Sequence, residues 1–200
     1  MLASHRGYDP GALELAKKLA KSLDAPLFHS TTTRLLVELN RSPTHPSLFS
    51  TYTRELSPAQ RAEILERHWR PYRTEVETEI ARLIASGRKV LHVSAHSFTP
   101  ELNGNVRCAD IGLLYDPRRS HESAFCADWR DRLRVLDPSL IVRRNYPYLG
   151  TADGFTTALR KQFADDVYSG IELEVNQKWP LASGPVWQRL QAILIESLKH

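Results

Sequence analysis

The sequence predicts a layered α/β domain, and three observations support this prediction. Segments with helical spacing of apolar residues alternate along the chain with short apolar runs of strand length. The 200 residues are enough for one domain with a single sizeable core. No internal repeat, low-complexity stretch or Gly/Ser-rich linker interrupts the alternation. We therefore expect residues 1–200 to form one domain.

Apolar spacing and capping residues predict the helices. The first helix ends near Leu23 and begins after Asp9, which we assign as its N-cap because a proline follows it. A longer pattern covers residues 58–86, with a bend or a break near Pro71 because proline donates no backbone hydrogen bond. Further helices are predicted at residues 122–135, 153–164 and 185–198. Asp153, the first residue of the helix at 153–164, is a good N-cap.

Short apolar runs predict five strands. They cover residues 34–39, 89–95, 109–115, 140–144 and 170–176. The run at 89–95 is mostly apolar, which is typical of a central strand buried on both faces.

Composition excludes several classes of protein. The net charge of +4 is carried mainly by arginines, but acidic residues are interspersed among the arginine clusters. A nucleic-acid-binding protein would show a cleaner basic stripe, so we expect a mixed-charge surface in which some arginines could bind a small anionic substrate. No apolar run reaches the roughly 20 residues of a membrane span, and the start has no signal-peptide pattern. We expect a cytoplasmic protein that has no nucleic-acid or membrane partner and two reduced cysteines, Cys108 and Cys126.

His96 is the first candidate site residue, because it follows the predicted central strand directly. The carboxyl ends of such strands are where α/β proteins build their sites, and imidazole is a common metal ligand. Capping the strand or bonding a backbone carbonyl is the alternative role for His96. His92 cannot share a metal with it, since four residues along a strand span roughly 13 Å, and we expect His92 to be a hydrogen-bonded interior residue.

Glu172 and Glu174 are the second candidate. Strand alternation places them with Asn176 on one face, opposite an apolar face. A carboxylate on such a face suits a general base. The spacing of roughly 6.6 Å also suits a glycosidase acid/base pair, and a half-exposed edge strand is the non-functional alternative.

Asn40 and Arg41 are the third candidate, at the end of a predicted strand. The planar guanidinium of arginine matches a carboxylate, and an adjacent amide adds a directed hydrogen bond. A surface loop arginine is the alternative interpretation. Arg107, Asp110 and Gly112 also lie next to a predicted strand end, whereas no zincin, serine-hydrolase elbow, Walker A or Rossmann motif is present.

Taken in order, these segments resemble the N-formylglutamate amidohydrolase family along nearly the whole chain. The resemblance rests on residues 5–12 (HRGYDPGA), 37–42 (VELNRS), 96–100 (HSFTP), 107–112 (RCADIG), 145–148 (NYPY) and 171–176 (IELEVN). It implies a three-layer fold with a mixed sheet flanked by helices, of the phosphorylase/hydrolase-like type and similar to zinc carboxypeptidases and aspartoacylases.

The resemblance also implies a function. A metal-bound water would attack the N-formyl amide of N-formyl-glutamate, with a divalent metal, most simply zinc, as cofactor. His96 would be a metal ligand and Glu174 the general base and later proton donor. Asn40 and Arg41 would bind one substrate carboxylate, and Arg107 would bind the second or polarise the carbonyl. An amidase for another N-acyl amino acid or peptide, or a non-catalytic member that keeps an anion pocket, are the alternatives.

The start of the chain departs from the family pattern. Family members carry an earlier strand ending in a Cys-Glu-His-Gly-Gly-Asn-like segment that supplies metal ligands, and residues 1–4 do not match it. The sequence therefore predicts a chain shortened at its N-terminus that binds metal poorly and shows little or no deformylase activity, unless His5 and Asp9 serve as ligands.

Overall fold

The computed structural model of the protein describes residues 7–199. Its helices are α1 (Ala12–Leu23), α2 (Pro58–Ile64), a π-helical turn (Leu65–Trp69), α3 (Arg70–Ala85), α4 (Ser120–Leu136), α5 (Phe155–Gln162), α6 (Lys178–Ala182) and α7 (Gly184–Glu196). Its strands are β1 (Val90–Phe98), β2 (Glu101–Leu102), β3 (Asn105–Val106), β4 (Ile111–Leu114), β5 (Val142–Arg144) and β6 (Tyr168–Asn176). Within the described part of the chain, no helix is long and apolar enough to cross a membrane.

The chain divides into two compact units, each built from separate stretches of sequence. The described residues of the first unit are 7–8, 28–90 and 153–168. Those of the second unit are 9–27, 91–152 and 169–199. β1 and β6 each begin with one residue of the first unit and continue in the second.

The four-stranded sheet has the order β1-β6-β4-β5 and is mixed. Among the described residues β1 is therefore an edge strand, and most of its residues are partly exposed, so the predicted central strand buried on both faces is wrong. β4 pairs with β5 in parallel and with β6 in antiparallel, which sets Gly112 opposite Glu174. β1 and β6 run in the same direction, since the N–H of Val90 donates to the Val167 carbonyl where the strands begin and the N–H of Gln177 donates to the Phe98 carbonyl where they end. The carboxyl ends of β1 and β6 therefore share one edge of the sheet with the amino end of β4. The mixed α/β fold predicted by the sequence is confirmed.

The core of the second unit lies between the sheet and helices α1, α4 and α7. Ile171, Leu173 and Val175 contribute the apolar face of β6, as the alternation predicted. Trp129 of α4 is fully buried in this core, and its indole N–H donates to Ser197 Oγ at 2.7 Å. The sheet face with alternating carboxylates is thereby separated from the apolar core.

Glu122, on α4, is a fully buried carboxylate. Its two oxygens accept hydrogen bonds from the backbone N–H groups of Asp116 and Gly170, at 2.9 and 3.0 Å. The guanidinium of Arg119 pairs with it at 3.2 Å. Glu122 thus fastens α4 to the chain after β4 and to β6.

The first unit has its own core, built by α3, α5 and the start of β6. Its buried side chains are Val76, Ile80, Phe155, Leu159 and Tyr168. The predicted interruption near Pro71 is present, because α2 ends at Ile64 and the π-helical turn ends at Trp69, just before α3 and Pro71.

The predicted strand at residues 34–39 is wrong, because this segment forms turns. Its backbone carbonyl groups accept hydrogen bonds from side-chain hydroxyls. Ser50 Oγ donates to the Leu35 carbonyl and Thr53 Oγ1 to the Leu36 carbonyl. Backbone hydrogen-bonding groups used in this way cannot form a strand ladder. The apolar run instead reflects burial, with Val37 fully inaccessible to solvent.

Candidate functional site

His96 is held between two side chains of the second unit. Its Nδ1 lies 2.8 Å from Asp9 Oδ2, and its Nε2 lies 3.0 Å from Ser94 Oγ. Ser94 and His96 face the same side of β1 because they are two residues apart in a strand. The side chains of His96 and Asp9 are 18% and 15% exposed, so solvent screens their ion pair only in part.

The prediction that Asp9 caps α1 is wrong. Gly11 occupies the N-cap position, with φ of 78°, and no side chain caps the helix. A Cβ on Gly11 would also lie 2.5 Å from Pro180 Cβ, so this turn requires glycine. The carboxylate of Asp9 is directed instead to His96, 87 residues away in the chain.

The environment of His96 favours its protonated form. Burial lowers the pKa of the imidazole, because it disfavours the charged form. The hydrogen bond and charge of Asp9, with the charges of Glu174 and Glu172, outweigh burial and raise the pKa from 6.5 to about 10. At neutral pH the ring is therefore a cation that donates one N–H to Asp9 and the other to Ser94.

Glu174 is a buried carboxylate late in β6, with 6% of its surface exposed. Its partner across the strand pair is Gly112, where an added Cβ would lie 1.8 Å from the carbonyl oxygen of Tyr146 and 3.3 Å from Glu174 Cβ. The backbone of Tyr146 therefore packs directly on β4 beside Glu174. Glu172 is partly exposed, so of the two carboxylates Glu174 is the more desolvated.

Arg107 lies just before β4, at the edge where β1 and β6 end. Its Nη1 donates to Tyr148 Oη at 3.0 Å, and its guanidinium carbon is 5.0 Å from the centre of the Tyr148 ring and 5.9 Å from that of Phe98. Asn176, two residues beyond Glu174, donates through Nδ2 to the carbonyl of Arg107 at 3.1 Å. Arg107 is thus tied to the end of the strand that carries Glu174.

Asp110 fastens the same edge. Its carboxylate accepts from the backbone N–H of Ile141 at 2.8 Å, from Trp179 Nε1 at 2.9 Å and from Lys178 Nζ at 2.6 Å. The aspartate in the Arg-x-x-Asp-Ile-Gly segment is therefore a structural clamp between β4, the start of β5 and α6.

Asn40 and Arg41 belong to the first unit and contact its other segments. Asn40 Oδ1 accepts a hydrogen bond of 2.7 Å from the backbone N–H of Phe155, which is the first residue of α5. Arg41 Nη1 donates to the carbonyl of Asp153. The role of these residues in carboxylate binding stays a prediction.

The expectation that Asp153 caps α5 through its side chain is wrong, since Gly154 is the N-cap and no side-chain cap bond is present. The Asp153 carboxylate accepts from Ser42 N–H at 3.0 Å. Burial raises the pKa of Asp153, but its bonds from Ser42 and the charges of His45 and Arg41 prevail and lower it. Asp153 is therefore a charged anchor for the turn that carries Arg41.

The described residues offer an incomplete set of metal ligands. A catalytic zinc takes three protein ligands, and among residues 7–199 no group of three His, Cys, Asp or Glu side chains is arranged as a metal site. Among residues 7–199, His96 has the features of a ligand, because a carboxylate on Nδ1 fixes the ring and directs Nε2. His5 lies outside the described residues. The described residues by themselves thus do not fit a catalytic metal.

Ser94 and Tyr148 were not assigned to the site from the sequence. Ser94 was detectable in principle, since it lies two residues before His96 in a predicted strand and shares its face. Tyr148 lies in a segment that the sequence singled out, but nothing local indicated its contact with Arg107, 41 residues earlier.

Comparisons with known proteins identify relatives of the whole chain. The family model described as N-formylglutamate amidohydrolase matches residues 1–179. The crystal structure of a gene product from Agrobacterium tumefaciens is 31% identical and has a TM-score of 0.80, with 98% of this chain and 77% of that one covered. The crystal structure of an N-formylglutamate amidohydrolase from Ralstonia eutropha is 18% identical, a likeness of fold, with a TM-score of 0.68 and coverage of 93% and 78%. Among curated proteins, none matches this chain.

Proposed function

The chain belongs to the N-formylglutamate amidohydrolase family, and we propose that it hydrolyses the formyl amide of N-formyl-glutamate or a closely related N-acyl amino acid. The observation that carries this proposal is a buried carboxylate, Glu174, whose charge acts on a cationic histidine, His96, held in place by Asp9. Arg107 at the same sheet edge supplies a positive charge for an acidic substrate.

Glu174 is proposed as the residue that moves the protons. It takes a proton from a water molecule whose oxygen bonds to the formyl carbon, and the carbonyl electron pair moves onto the formyl oxygen. Collapse of the tetrahedral species breaks the C–N bond, while Glu174 returns the proton to the departing nitrogen. The products are formate and the free amino acid.

His96 and Asp9 are proposed to act by charge. A cationic imidazole close to Glu174 stabilises the negative charge that develops as the formyl oxygen becomes an oxyanion. Asp9 orients the ring, as a carboxylate does for a catalytic or metal-binding histidine. The metal dependence implied by the family resemblance stays a prediction, and a metal at His96 would require the ring to lose its proton.

A second mechanism is favoured by the hydrogen-bonded chain Ser94–His96–Asp9, with contacts of 3.0 and 2.8 Å. In this version Ser94 Oγ attacks the formyl carbon and His96 accepts the serine proton, as in a Ser-His-Asp hydrolase. The C–N bond then breaks as His96 gives that proton to the departing nitrogen, and water hydrolyses the formyl-serine ester to formate and free serine. The protonation state argues against it at neutral pH, because an imidazolium donates to Ser94 and cannot take its proton.

Formate release from N-formyl-L-glutamate by the purified chain tests the proposal. We expect wild-type activity, a loss of about 100-fold or more in Glu174→Gln, and a loss of less than about threefold in Ser94→Ala. Glu172→Gln is the matched control, since it removes a carboxylate on the same face of β6. Loss confined to Ser94→Ala would favour the serine mechanism, and absence of formate release in wild type would refute the proposed function.

Metal content and chelation separate the remaining alternatives. Zinc bound to wild type and lost in His96→Ala, with activity removed by a chelator, would support metal dependence. Binding of N-formyl-glutamate without hydrolysis, with or without added zinc, would indicate a non-catalytic binding protein. Faster hydrolysis of another N-acyl amino acid would reassign the substrate.

A further inference from the structure

The guanidinium of Arg107 has a tyrosine and not a carboxylate as its side-chain partner. Several other arginines do pair with carboxylates, as Arg118 does with Asp116 at 2.7 Å and Arg189 with Asp137 at 3.1 Å. Within the described part of the chain, no carboxylate lies within ion-pair distance of Arg107. Its charge is left for an anion from outside the chain.

Arg107 is nevertheless fixed in position. Its guanidinium lies near the rings of Phe98 and Tyr148 and donates to the Tyr148 hydroxyl. Its backbone is fixed on both sides, because its N–H donates to the Pro100 carbonyl at 2.8 Å and its carbonyl accepts from Asn176. Little side-chain entropy therefore remains to be lost when this arginine binds an anion.

Tyr148 is held as firmly by the loop that carries it. Asn145 Oδ1 accepts from the N–H groups of Tyr115 and Gly150, both at 3.0 Å, which closes the loop at its two ends. A Cβ on Gly150 would lie 2.1 Å from the Tyr115 nitrogen, so the closure requires glycine. The same loop packs on Gly112, the residue opposite Glu174.

The polarity of the Arg107–Tyr148 hydrogen bond gives the pair its binding capacity. Guanidinium groups only donate, so the phenol oxygen is the acceptor in this contact. The Tyr148 O–H proton is therefore available to a different acceptor, as are the other N–H groups of Arg107. With 45% of its surface exposed, Tyr148 can present this proton to a ligand.

We propose that Tyr148 is a substrate-binding residue that, together with Arg107, holds one carboxylate of an acidic N-acyl amino acid and so selects doubly anionic substrates. This inference rests on the proposed function. It assigns Arg107 to carboxylate binding instead of to polarisation of the formyl carbonyl. The attachment of Arg107 to Asn176, two residues beyond Glu174, gives the carboxylate a fixed position relative to the proposed general base.

Tyr148→Phe tests the proposal, because it keeps the ring beside Arg107 and removes only the hydroxyl. The substrates are N-formyl-L-glutamate and its two monoamides, N-formyl-L-glutamine and the α-amide of N-formyl-L-glutamate. We expect KM for N-formyl-L-glutamate to rise about tenfold, or about 1.4 kcal/mol, with kcat nearly unchanged. One monoamide, the one lacking the carboxylate bound here, should change less than about twofold. Tyr52→Phe, at an exposed tyrosine of the first unit, is the control.

The remaining outcomes overturn the inference. An equal loss of kcat on all three substrates would mean that the pair polarises the carbonyl, and an unchanged KM would mean that Tyr148 touches no substrate.

If wild type releases no formate, the proposed function fails, and the carboxylate site is then tested by calorimetry with L-glutamate, L-glutamine and L-isoglutamine. Tighter binding of glutamate than of one amide, weakened about tenfold in Tyr148→Phe, would support it. No binding, or equal binding of the three ligands, would refute it.

Discussion

Replacing Asp9 by asparagine should weaken the fold in a pH-dependent way. The amide preserves the shape of the contact with His96 and can still accept its Nδ1 proton, so the variant removes mainly the charge. The pKa of His96 rises from 6.5 to about 10 in the folded protein. At about 1.4 kcal/mol per pKa unit, all interactions of the charged ring together stabilise the fold by at most about 5 kcal/mol. A charge-assisted hydrogen bond contributes about 1.5–3 kcal/mol, so we expect a loss of about 2 kcal/mol.

The sign of the pH dependence follows from the raised pKa. A histidine whose pKa is higher in the folded state contributes its full stabilisation below pH 6.5 and loses it as the pH rises towards 10. The difference between wild type and Asp9→Asn should therefore be largest near pH 6 and shrink as the pH approaches 10. Free energies of unfolding from urea titrations, with a chelator present, measure it. The NMR titration midpoint of His96 should fall towards its ordinary value.

Parallel stability curves for the two proteins from pH 6 to 10 would refute this reasoning. They would mean that the charge of Asp9 does not control the protonation of His96. Glu172→Gln is the control, since Glu172 also acts on His96 but makes the smallest charge contribution among its acidic neighbours; it should reproduce the effect only weakly.

Three further predictions concern the packing around the site and the first unit. Gly112→Ala places a Cβ 1.8 Å from the Tyr146 carbonyl oxygen, so the loop must move; kcat/KM should fall about 100-fold, and an unchanged kcat/KM would contradict the contact. Glu122→Ala leaves Arg119 buried and two backbone N–H groups without their acceptor; urea denaturation should show a loss of about 3–5 kcal/mol, whereas a loss below about 1 kcal/mol would contradict its clamping role. Arg41→Ala should weaken binding of N-formyl-glutamate by about 1.5–3 kcal/mol, which raises its KM, and should affect a neutral amide analogue less. Equal increases in KM for both substrates, accompanied by a lower Tm, would indicate a structural role.

Local patterns in the sequence were sufficient to predict most of the fold. Alternation assigned the two faces of β6, and the missing N–H of Pro71 indicated where the long helical pattern is interrupted. These features depend on neighbours within one turn or one strand. The segment 34–39 was misassigned because its carbonyl partners, the hydroxyls of Ser50 and Thr53, come from a later segment that has no motif of its own.

The candidate site was predictable only in part, for the same physical reason. His96 and Glu174 follow from position and alternation in single strands. The partnership of His96 with Asp9 depends on how α1 meets β1, and an aspartate before a helix has an equally good local role as an N-cap. Which role it takes is decided by Gly11, whose left-handed turn makes glycine the N-cap residue.

The interleaving of the two units along the chain has a consequence for folding kinetics. The first unit closes only when residues 28–90 meet residues 153–168, across an intervening stretch of about 60 residues whose closure entropy must be overcome before the contacts form. Folding dominated by such distant contacts is slow, because the ordering cost precedes the gain. During that delay, the apolar side chains of α3 and α5 stay exposed, so refolding yield should fall as protein concentration rises.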